Sequence, residues 1–402
     1  MADSAATNKP AADWTRSAGL GTGPLSVEPY VSPEFFDTVR EAVFRRSWLN
    51  VGRVEELPEQ GSFLVKRVGV LNASILLVRG RDDVIRAFHN VCSHRGNEVV
   101  WEESGKAERF FACRFHGWTY SLEGELRGVP DQARFFGLDQ REHGLTAVHV
   151  QLWRGFMFVH LAAQPEQSLE VFLGDFGRRM ADYPFETYSV QSRYTVDIRT
   201  NWQAAMDAFR ESYHGGFLHS RWAEGNSRAR LLDVFIDRVH HGCAFSTRPR
   251  PAPTPMEALA TKFGASGLYV KSAATASGGL NRNAHPDWFF DCNVVFPNFF
   301  LDLNPRSYFT YNFWPESVNR TVFEITTYDR PPANCAEAAA LNYSRMRLRS
   351  VLLEDLSTLE RTQRGLESGA KTQLQASDEE VLIRHGHETV TRLVNEARAE
   401  RG

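Results

Sequence analysis

Cys92-Ser93-His94-Arg95-Gly96 and Cys113-Arg114-Phe115-His116-Gly117-Trp118 are two short runs that each bring one thiol and one imidazole close together. Zinc fingers group cysteine with cysteine and histidine with histidine, so a Cys2His2 zinc site does not call for this division. Two loops that each deliver one ligand of each kind suit a pair of non-equivalent metal ions. The runs lie within a segment, from Gly61 to about Leu161, made of short β-type stretches: FLVKRV, ASILLVRG, VIRAFHNV, AVHVQLW and GFMFVHL, punctuated by Gly, Asp-Asp and Pro. This pattern predicts a compact all-β unit of about a hundred residues around the two loops.

In a Rieske [2Fe–2S] centre, two cysteines hold one iron and two histidines the other, which is the division these loops make. Cys92, His94, Cys113 and His116 are therefore the expected cluster ligands. Histidine ligation raises the reduction potential above that of an all-cysteine cluster, so such a centre can accept electrons from a ferredoxin or reductase and pass them on. Position 97 is Asn. Rieske proteins of quinol-oxidising complexes usually carry another cysteine near this loop, and its absence points to the soluble, oxygenase-linked type.

A chain of 402 residues has room for two or three domains. Hydrophobic residues at 42% and charged residues at 24% are ordinary globular usage, which excludes whole-chain disorder. A formal net charge of −3 gives no electrostatic reason to expect nucleic acid or an anionic membrane as partner. No stretch reaches the roughly 18 consecutive apolar residues of a spanning helix. The N-terminal MADSAATNKPAADWTRSAGLGTGP lacks the basic start and apolar core of a secretory signal, so the expected location is the cytoplasm. Five cysteines, an odd number, argue against a disulfide scaffold. GLGTGP at Gly19–Pro24 neither follows a strand nor opens a helix, and reads as flexible tail rather than as a phosphate loop.

Beyond the cluster loops, Pro33–Trp48 has the apolar spacing of a helix, with Ser32 placed as its cap. A second domain begins near residue 165, with helices expected at Ser168–Tyr183 and Trp202 to about His214, and a strand at Tyr188–Arg199 between them. Arg248–Gly279, rich in Pro, Ala, Ser and Gly, predicts a long loop or short helices, and Asp287–Tyr328 a sheet core. One long helix is expected from Cys335 to about Glu367, and another from Ser377 to the end.

The stretch NWQAAMDAFRESYHGGFLHS contains Asp207, Glu211, His214 and His219. At about 100° per residue, the first three fall within about 60° of one another on one helix. His219 would lie about 140° from His214, so the two can share a metal only if the helix breaks between them. Gly215-Gly216 is placed to break it. Two imidazoles at a helix end, plus one carboxylate, make the 2-His-1-carboxylate facial triad, which leaves positions on Fe(II) open for O2 and substrate. The candidate third ligand is Asp355 in LLEDLSTLERTQRGL, because Val351-Leu352-Leu353 can anchor that turn in the core.

In order, and over essentially the whole chain, CSHRG…CRFHGW, NWQAAMDAFRESYHGGFLH, VVFPN and LEDLSTLERTQRGL resemble the large (α) subunit of Rieske non-haem iron oxygenases. The resemblance implies an α+β fold: an N-terminal tail and helix (1–48), an all-β Rieske domain (49–163), and a catalytic domain (164–402) whose antiparallel sheet is surrounded by helices. It implies that Cys92, His94, Cys113 and His116 hold the [2Fe–2S] cluster and that His214, His219 and Asp355 hold a mononuclear Fe(II). It also implies that Glu211 bridges to a cluster histidine of a neighbouring subunit, expected to be His116, in a homotrimer with or without a small β subunit. Asp207 stands where ring-dihydroxylating relatives commonly carry Asn, and joins Glu211 as a candidate catalytic group.

The reaction expected from this resemblance is O2-dependent hydroxylation, with one or both oxygen atoms entering the substrate. Ala208, Phe209, Gly215, Phe217, Val295, Phe296, Asn298 and Phe300 are the candidate pocket residues. A Phe-rich lining favours a small hydrophobic, aromatic substrate, as in aromatic hydrocarbon catabolism. Two alternatives stand beside this reading: O- or N-demethylation, in which a hydroxylated methyl group departs as formaldehyde, and a purely electron-carrying Rieske protein. No Gly-rich dinucleotide fingerprint follows a strand, so a separate ferredoxin and/or flavin reductase is expected to supply electrons from NAD(P)H.

Overall fold

The computed structural model describes residues 13–220, 229–246, 254–262, 279–304 and 307–401. Two seven-stranded antiparallel sheets divide the work of holding the two candidate sites, and the fold class is α+β. The first runs, in spatial order, Leu49–Arg53, Phe156–His160, Ala147–Trp153, Ile85–His89, Ala73–Arg79, Ser62–Val68 and Ser104–Lys106. A three-stranded sheet of Phe110–Ala112, Thr119–Ser121 and Leu126–Gly128 accompanies it. Leu76, Val78, Phe88, Val99, Val100, Phe111, Trp118, Tyr120 and Leu126 form one apolar cluster with Cys92 and Cys113. The thiols are thereby sealed on their inner side.

The second sheet runs Ser189–Ile198, Arg320–Asp329, Ser307–Ser317, Phe299–Leu303, Trp288–Val295, His240–Ser246 and Leu231–Asp237. Successive strand residues point to opposite faces, so each strand feeds two cores. Val295, Phe299, Leu301 and Leu303 pack with Phe172 and Phe176 of the helix Leu169–Arg179. Val294, Phe296, Phe300, Tyr311 and Phe323 pack on the other side, with Trp202, Leu352, Leu359, Leu382 and Val394. The helices on this second face are Trp202–Asp207, Cys335–Glu367 and Val381–Arg401.

The helix Cys335–Glu367 is capped by Asn334, whose side chain accepts from the Glu337 N–H. It buries Leu352 and leaves Leu353 exposed at 56%, so the apolar run before Asp355 anchors through one of its leucines rather than as a block. Ser32 caps Pro33–Val39 by accepting from the Phe35 N–H at 3.1 Å, and the chain continues as a π-turn over Arg40–Phe44.

Two expectations change. The helix expected from Trp202 to His214 ends at Asp207, and Glu211 and His214 lie in the turns beyond it, not on one helical stripe. GLGTGP is strapped down rather than loose. Trp14 and Thr15 donate their N–H groups to the Asp378 carboxylate at 2.9 and 2.8 Å. Arg384 donates to the Gly21 and Gly23 carbonyls at 3.1 and 2.7 Å, and Leu25–Ser26 pairs with Gln373–Leu374. Of Arg248–Gly279, the described part contains the helix Pro255–Lys262, and the rest lies outside the described residues. No helix among the described residues is long and apolar enough to cross a membrane.

Candidate metal centres

The two cysteine–histidine loops adopt the same turn although their spacings differ by one residue. In the first, the Gly96 N–H donates to the Cys92 carbonyl at 2.9 Å and the Cys92 N–H to the Asn97 carbonyl at 2.8 Å. In the second, Gly117 and Cys113 repeat these bonds with the Cys113 and Trp118 carbonyls, at 2.9 and 2.8 Å. Closing each turn puts the fifth residue in the left-handed region, φ +74° at Gly96 and +72° at Gly117, which only glycine adopts without strain. A glycine at the same offset after each cysteine was the sequence signal for this, and reading the ligands alone overlooks it.

These turns leave the thiols of Cys92 and Cys113 buried, the His94 ring half-buried and the His116 ring exposed. The two imidazoles are 4.5 Å apart between centroids, and His94 stacks on Trp118 at 4.9 Å. Nδ1 of His94 is buried without a hydrogen-bond partner. The Tyr120 hydroxyl accepts from the Ser93 N–H at 3.0 Å and lies 3.2 Å from Cys92 Sγ, to which it donates when that sulfur is a thiolate. The Asn97 amide donates to Cys113 Sγ at 3.7 Å. Burial pushes the Cys92 thiol up, and the hydrogen bond from Tyr120 opposes it. Two sulfurs with donors aimed at them and an orphaned imidazole nitrogen fit a cluster held by two thiolates and two imidazoles.

The second centre is assembled around a helix stop. Asn201 opens the helix by accepting from the Gln203 N–H at 2.9 Å, and its own N–H donates to Gln363 Oε1 at 2.9 Å, tying this helix to Cys335–Glu367. At the other end Asp207 Oδ2 accepts from the Tyr30 hydroxyl at 2.8 Å and Oδ1 from Arg210 at 2.9 Å. Burial pushes the Asp207 carboxyl up, and the Arg210 guanidinium opposes it. The carboxylate of Asp207 is thus engaged by Tyr30 and Arg210, not by the histidines. Glu211 then starts a new turn, its carboxylate accepting from the backbone N–H groups of Tyr213 and, at 3.2 Å, of His214. The short 3-10 turn His214–Gly216 follows and brings His219 back beside His214.

His214, His219 and Asp355 converge so that one ligand atom from each lies within 4.8 Å of the others. Nε2 of His219 is 2.9 Å and Nε2 of His214 3.5 Å from Asp355 Oδ1, which has no hydrogen-bond partner of acceptable geometry. Atoms that face one another without forming hydrogen bonds are disposed as ligands of one shared ion. The far edge of each ring is held by a carboxylate: Nδ1 of His214 by Glu211, and Nδ1 of His219 by Glu354 at 2.7 Å. An Nδ1–H donated to a carboxylate fixes the tautomer that leaves Nε2 free to ligate. Glu354 escapes a sequence reading because nothing distinguishes it from other helix glutamates until His219 is placed against it.

The candidate pocket residues divide. Phe209 packs against Tyr311, Phe313 and Phe323 at centroid distances of 5.4, 5.7 and 5.2 Å, with Phe296 and Phe300 in the same apolar cluster. Ala208 packs against that cluster and Gly215 is buried. Val295 points to the opposite face, because it alternates with Val294 and Phe296 along the chain. The Asn298 side-chain N–H donates to the Phe313 carbonyl at 3.0 Å while its Oδ1 is buried without a hydrogen-bond partner, and Phe217 is 61% exposed on the surface. Val295 thus faces the other core and Phe217 the surface rather than the apolar space on the ligand side of the sheet.

Comparison with known proteins follows the same two-part division. The family model described as Ring hydroxylating alpha subunit (catalytic domain) matches residues 185–396, and that for the Rieske [2Fe-2S] domain matches residues 47–149. The carnitine monooxygenase oxygenase subunit of Acinetobacter pittii (strain PHEA-2) is 29% identical over 214 residues, 53% of this chain and 54% of the relative. The glycine betaine monooxygenase oxygenase subunit of Pseudomonas aeruginosa (strain UCBPP-PA14) is 33% identical over 187 residues, 46% of this chain and 42% of the relative. The chain thus spans about half the length of the curated relatives it matches. A solved quaternary ammonium Rieske monooxygenase, described in terms of carnitine oxidation and inter-subunit electron transfer, shares the fold. Its TM-score is 0.73 at 20% identity, covering 96% of this chain and 98% of the other.

Proposed function

This chain belongs to the ring-hydroxylating alpha-subunit family, and on that premise we propose that it is the terminal oxygenase of a Rieske system acting on a small quaternary ammonium compound. The observation that carries the reading is the convergence of His214, His219 and Asp355, each imidazole backed by a carboxylate, at the edge of an apolar core. The substrate class is favoured by the carnitine and glycine betaine relatives, and takes the place of the aromatic substrate expected from phenylalanine content.

Cys92, His94, Cys113 and His116 hold the [2Fe–2S] cluster, and His214, His219 and Asp355 hold Fe(II). When bound, the two groups supply electron relay and O2 activation. The residues of the chain set the conditions for that chemistry. Glu211 and Glu354 accept the Nδ1–H of the two imidazoles, which orients the rings so that both Nε2 atoms are aimed at one point. Phe209, Phe296, Phe300 and Tyr311 exclude water from the reacting face. In the net reaction a substrate C–H becomes C–OH, while the second oxygen leaves as water with two protons and two electrons from a separate reductase. A hydroxyl on a carbon bonded to nitrogen then allows the C–N bond to break.

Glu211 serves a second purpose in this reading. His116 is exposed beside Phe115, itself 54% exposed, while Tyr213 and Phe217 next to Glu211 are 50% and 61% exposed. These two surfaces suit contact between copies of the chain, with Glu211 joining His214 to His116 of the next copy and the cluster unit (49–163) of one serving the iron domain (164–402) of another.

Iron and acid-labile sulfide analysis, with EPR after anaerobic reduction, tests the first part: about three irons to two sulfides per chain and a Rieske signal are expected. Turnover under 18O2 with a reductase and NAD(P)H tests the second. Labelled product from carnitine, glycine betaine or choline is expected, and labelled product from naphthalene or biphenyl alone would reverse the substrate assignment.

A further inference from the structure

Cys292, Phe300, Asp302 and Tyr311 lie side by side on the sheet face turned toward the iron-site helices. Asp302 is paired in register with Cys292 on one neighbouring strand and Phe309 on the other, and Phe300 with Val294 and Tyr311. Residues opposite one another across strands share a face, as do residues two apart along a strand. Cys292, Phe300, Phe309 and Tyr311 all belong to the apolar cluster that also holds Leu352 of the Asp355 helix.

A carboxyl group does not belong in such a core without a reason. Asp302 is 9% exposed, and its Oδ1 is buried without a hydrogen-bond partner. Its polar neighbours are the Cys292 thiol and the Tyr311 hydroxyl, and no cation among the described residues compensates it. Burial pushes its carboxyl up to about 7, with those two groups only partly opposing the rise. A buried carboxylate with no counter-charge costs stability, and groups kept at such a cost mark functional sites.

Its position ties it to both arms of the iron site. Tyr311 feels the negative charges of both Asp302 and Asp355, so its hydroxyl lies near both carboxylates. Cys292 Sγ donates to the Phe209 carbonyl at 3.6 Å, on the segment that leads to His214. The Tyr311 ring lies 5.4 Å from that of Phe209 and 6.0 Å from that of Phe300.

We propose that Asp302 is the counter-charge for the cationic head of the substrate and, with the faces of Phe209, Phe300 and Tyr311, seats a quaternary ammonium group so that a carbon bonded to nitrogen faces the triad. This inference rests on the quaternary ammonium reading above and names the residue that would enforce it. A quaternary ammonium has no N–H to donate, so what distinguishes it is its charge, recognised by a nearby anion and by aromatic faces. An aromatic hydrocarbon gains nothing from Asp302 and would bury it further.

The test compares choline with 3,3-dimethyl-1-butanol, its uncharged isostere, by calorimetric binding to the iron-loaded full chain. The wild type should bind choline about tenfold or more tightly than the isostere, and Asp302→Asn should bring that ratio close to unity mainly by weakening choline. Asp302→Glu, which keeps the charge, should retain a preference for choline, and it keeps the test decisive if Asp302→Asn does not fold. An Asp302→Asn protein with the wild-type ratio overturns the role of Asp302 and leaves the substrate class standing. A wild type that binds both ligands equally overturns the role and the substrate class together.

Discussion

Nδ1 of His219 lies 2.7 Å from Oε2 of Glu354, while Nε2 of the same ring lies 2.9 Å from Oδ1 of Asp355, so two adjacent residues of one helix grip opposite edges of one imidazole. Consecutive helical residues diverge by about 100°, which is what lets neighbours in sequence reach two sides of a ring. Only one of them is placed to ligate. Removing the other by Glu354→Ala should weaken iron binding by about ten- to a hundredfold, as loss of such orienting partners does. Glu354→Gln, which keeps a carbonyl acceptor, should lose less. Iron release to a chelator measures both, and an unchanged Rieske EPR signal shows that the effect is local.

Glu211 has three acceptor tasks in one chain: the Nδ1 of His214 and the backbone N–H groups of Tyr213 and His214. Glu211→Ala should therefore lower iron affinity by about tenfold or more. With Fe(II) in excess the iron should be restored, yet substrate-dependent reoxidation of the reduced cluster should remain at background, as the proposed bridge from Glu211 to the next copy's cluster requires. Rapid-mixing measurement of cluster reoxidation separates the two effects. Reoxidation at the wild-type rate in the iron-loaded variant would remove Glu211 from the electron path.

The Tyr120 hydroxyl accepts from the Ser93 N–H and lies 3.2 Å from Cys92 Sγ, and a ligating thiolate there can only accept its proton. A hydrogen bond to a ligating sulfur withdraws negative charge and favours the reduced cluster, so it raises the potential. Tyr120→Phe should lower the midpoint potential by a step on the order of tens of millivolts with the cluster retained. Potentiometric EPR titration reads this shift, and an unaltered potential would mean the hydroxyl does not bond the sulfur in the assembled centre.

His240 is buried with both ring nitrogens engaged: Nε2–H donates to the Phe172 carbonyl at 2.7 Å, and Nδ1 accepts from the Phe296 N–H at 3.1 Å. A second proton has no acceptor there, and burial lowers the group from 6.5 to about 4. In the window between these values the unfolded chain binds the proton and the folded chain does not. Stability secured by the neutral ring is therefore fully present above about pH 6.5 and is lost as pH falls toward 4. The loss amounts to about 3 kcal/mol across the window. The difference in unfolding free energy between wild type and His240→Gln should shrink by about that much between pH 7 and pH 4. A difference independent of pH would show that His240 titrates alike in the folded and unfolded chain.

The sequence by itself determined the cluster loops, the α+β class, the long helix Cys335–Glu367 and the identity of His214, His219 and Asp355 as a group. The loops and the long helix rest on local chemistry, ligand types at short spacing and helix-forming composition, whereas the α+β class and the joining of Asp355 to the two histidines rest on the family resemblance. Reading Trp202 to His214 as one helix failed because propensity does not register that Asp207 is taken by Tyr30 and Arg210, or that Glu211 restarts the turn with its own carboxylate. Val295 was misplaced by a single step of alternation, which sends a strand residue to the other core. Only the tertiary structure decided which carboxylates serve which imidazoles, because Glu354 meets His219 across residues 220–353 of intervening chain. The same holds for Asp302, an ordinary strand residue in sequence, which becomes a buried carboxyl without a counter-charge only once its neighbouring strands pair on either side of it.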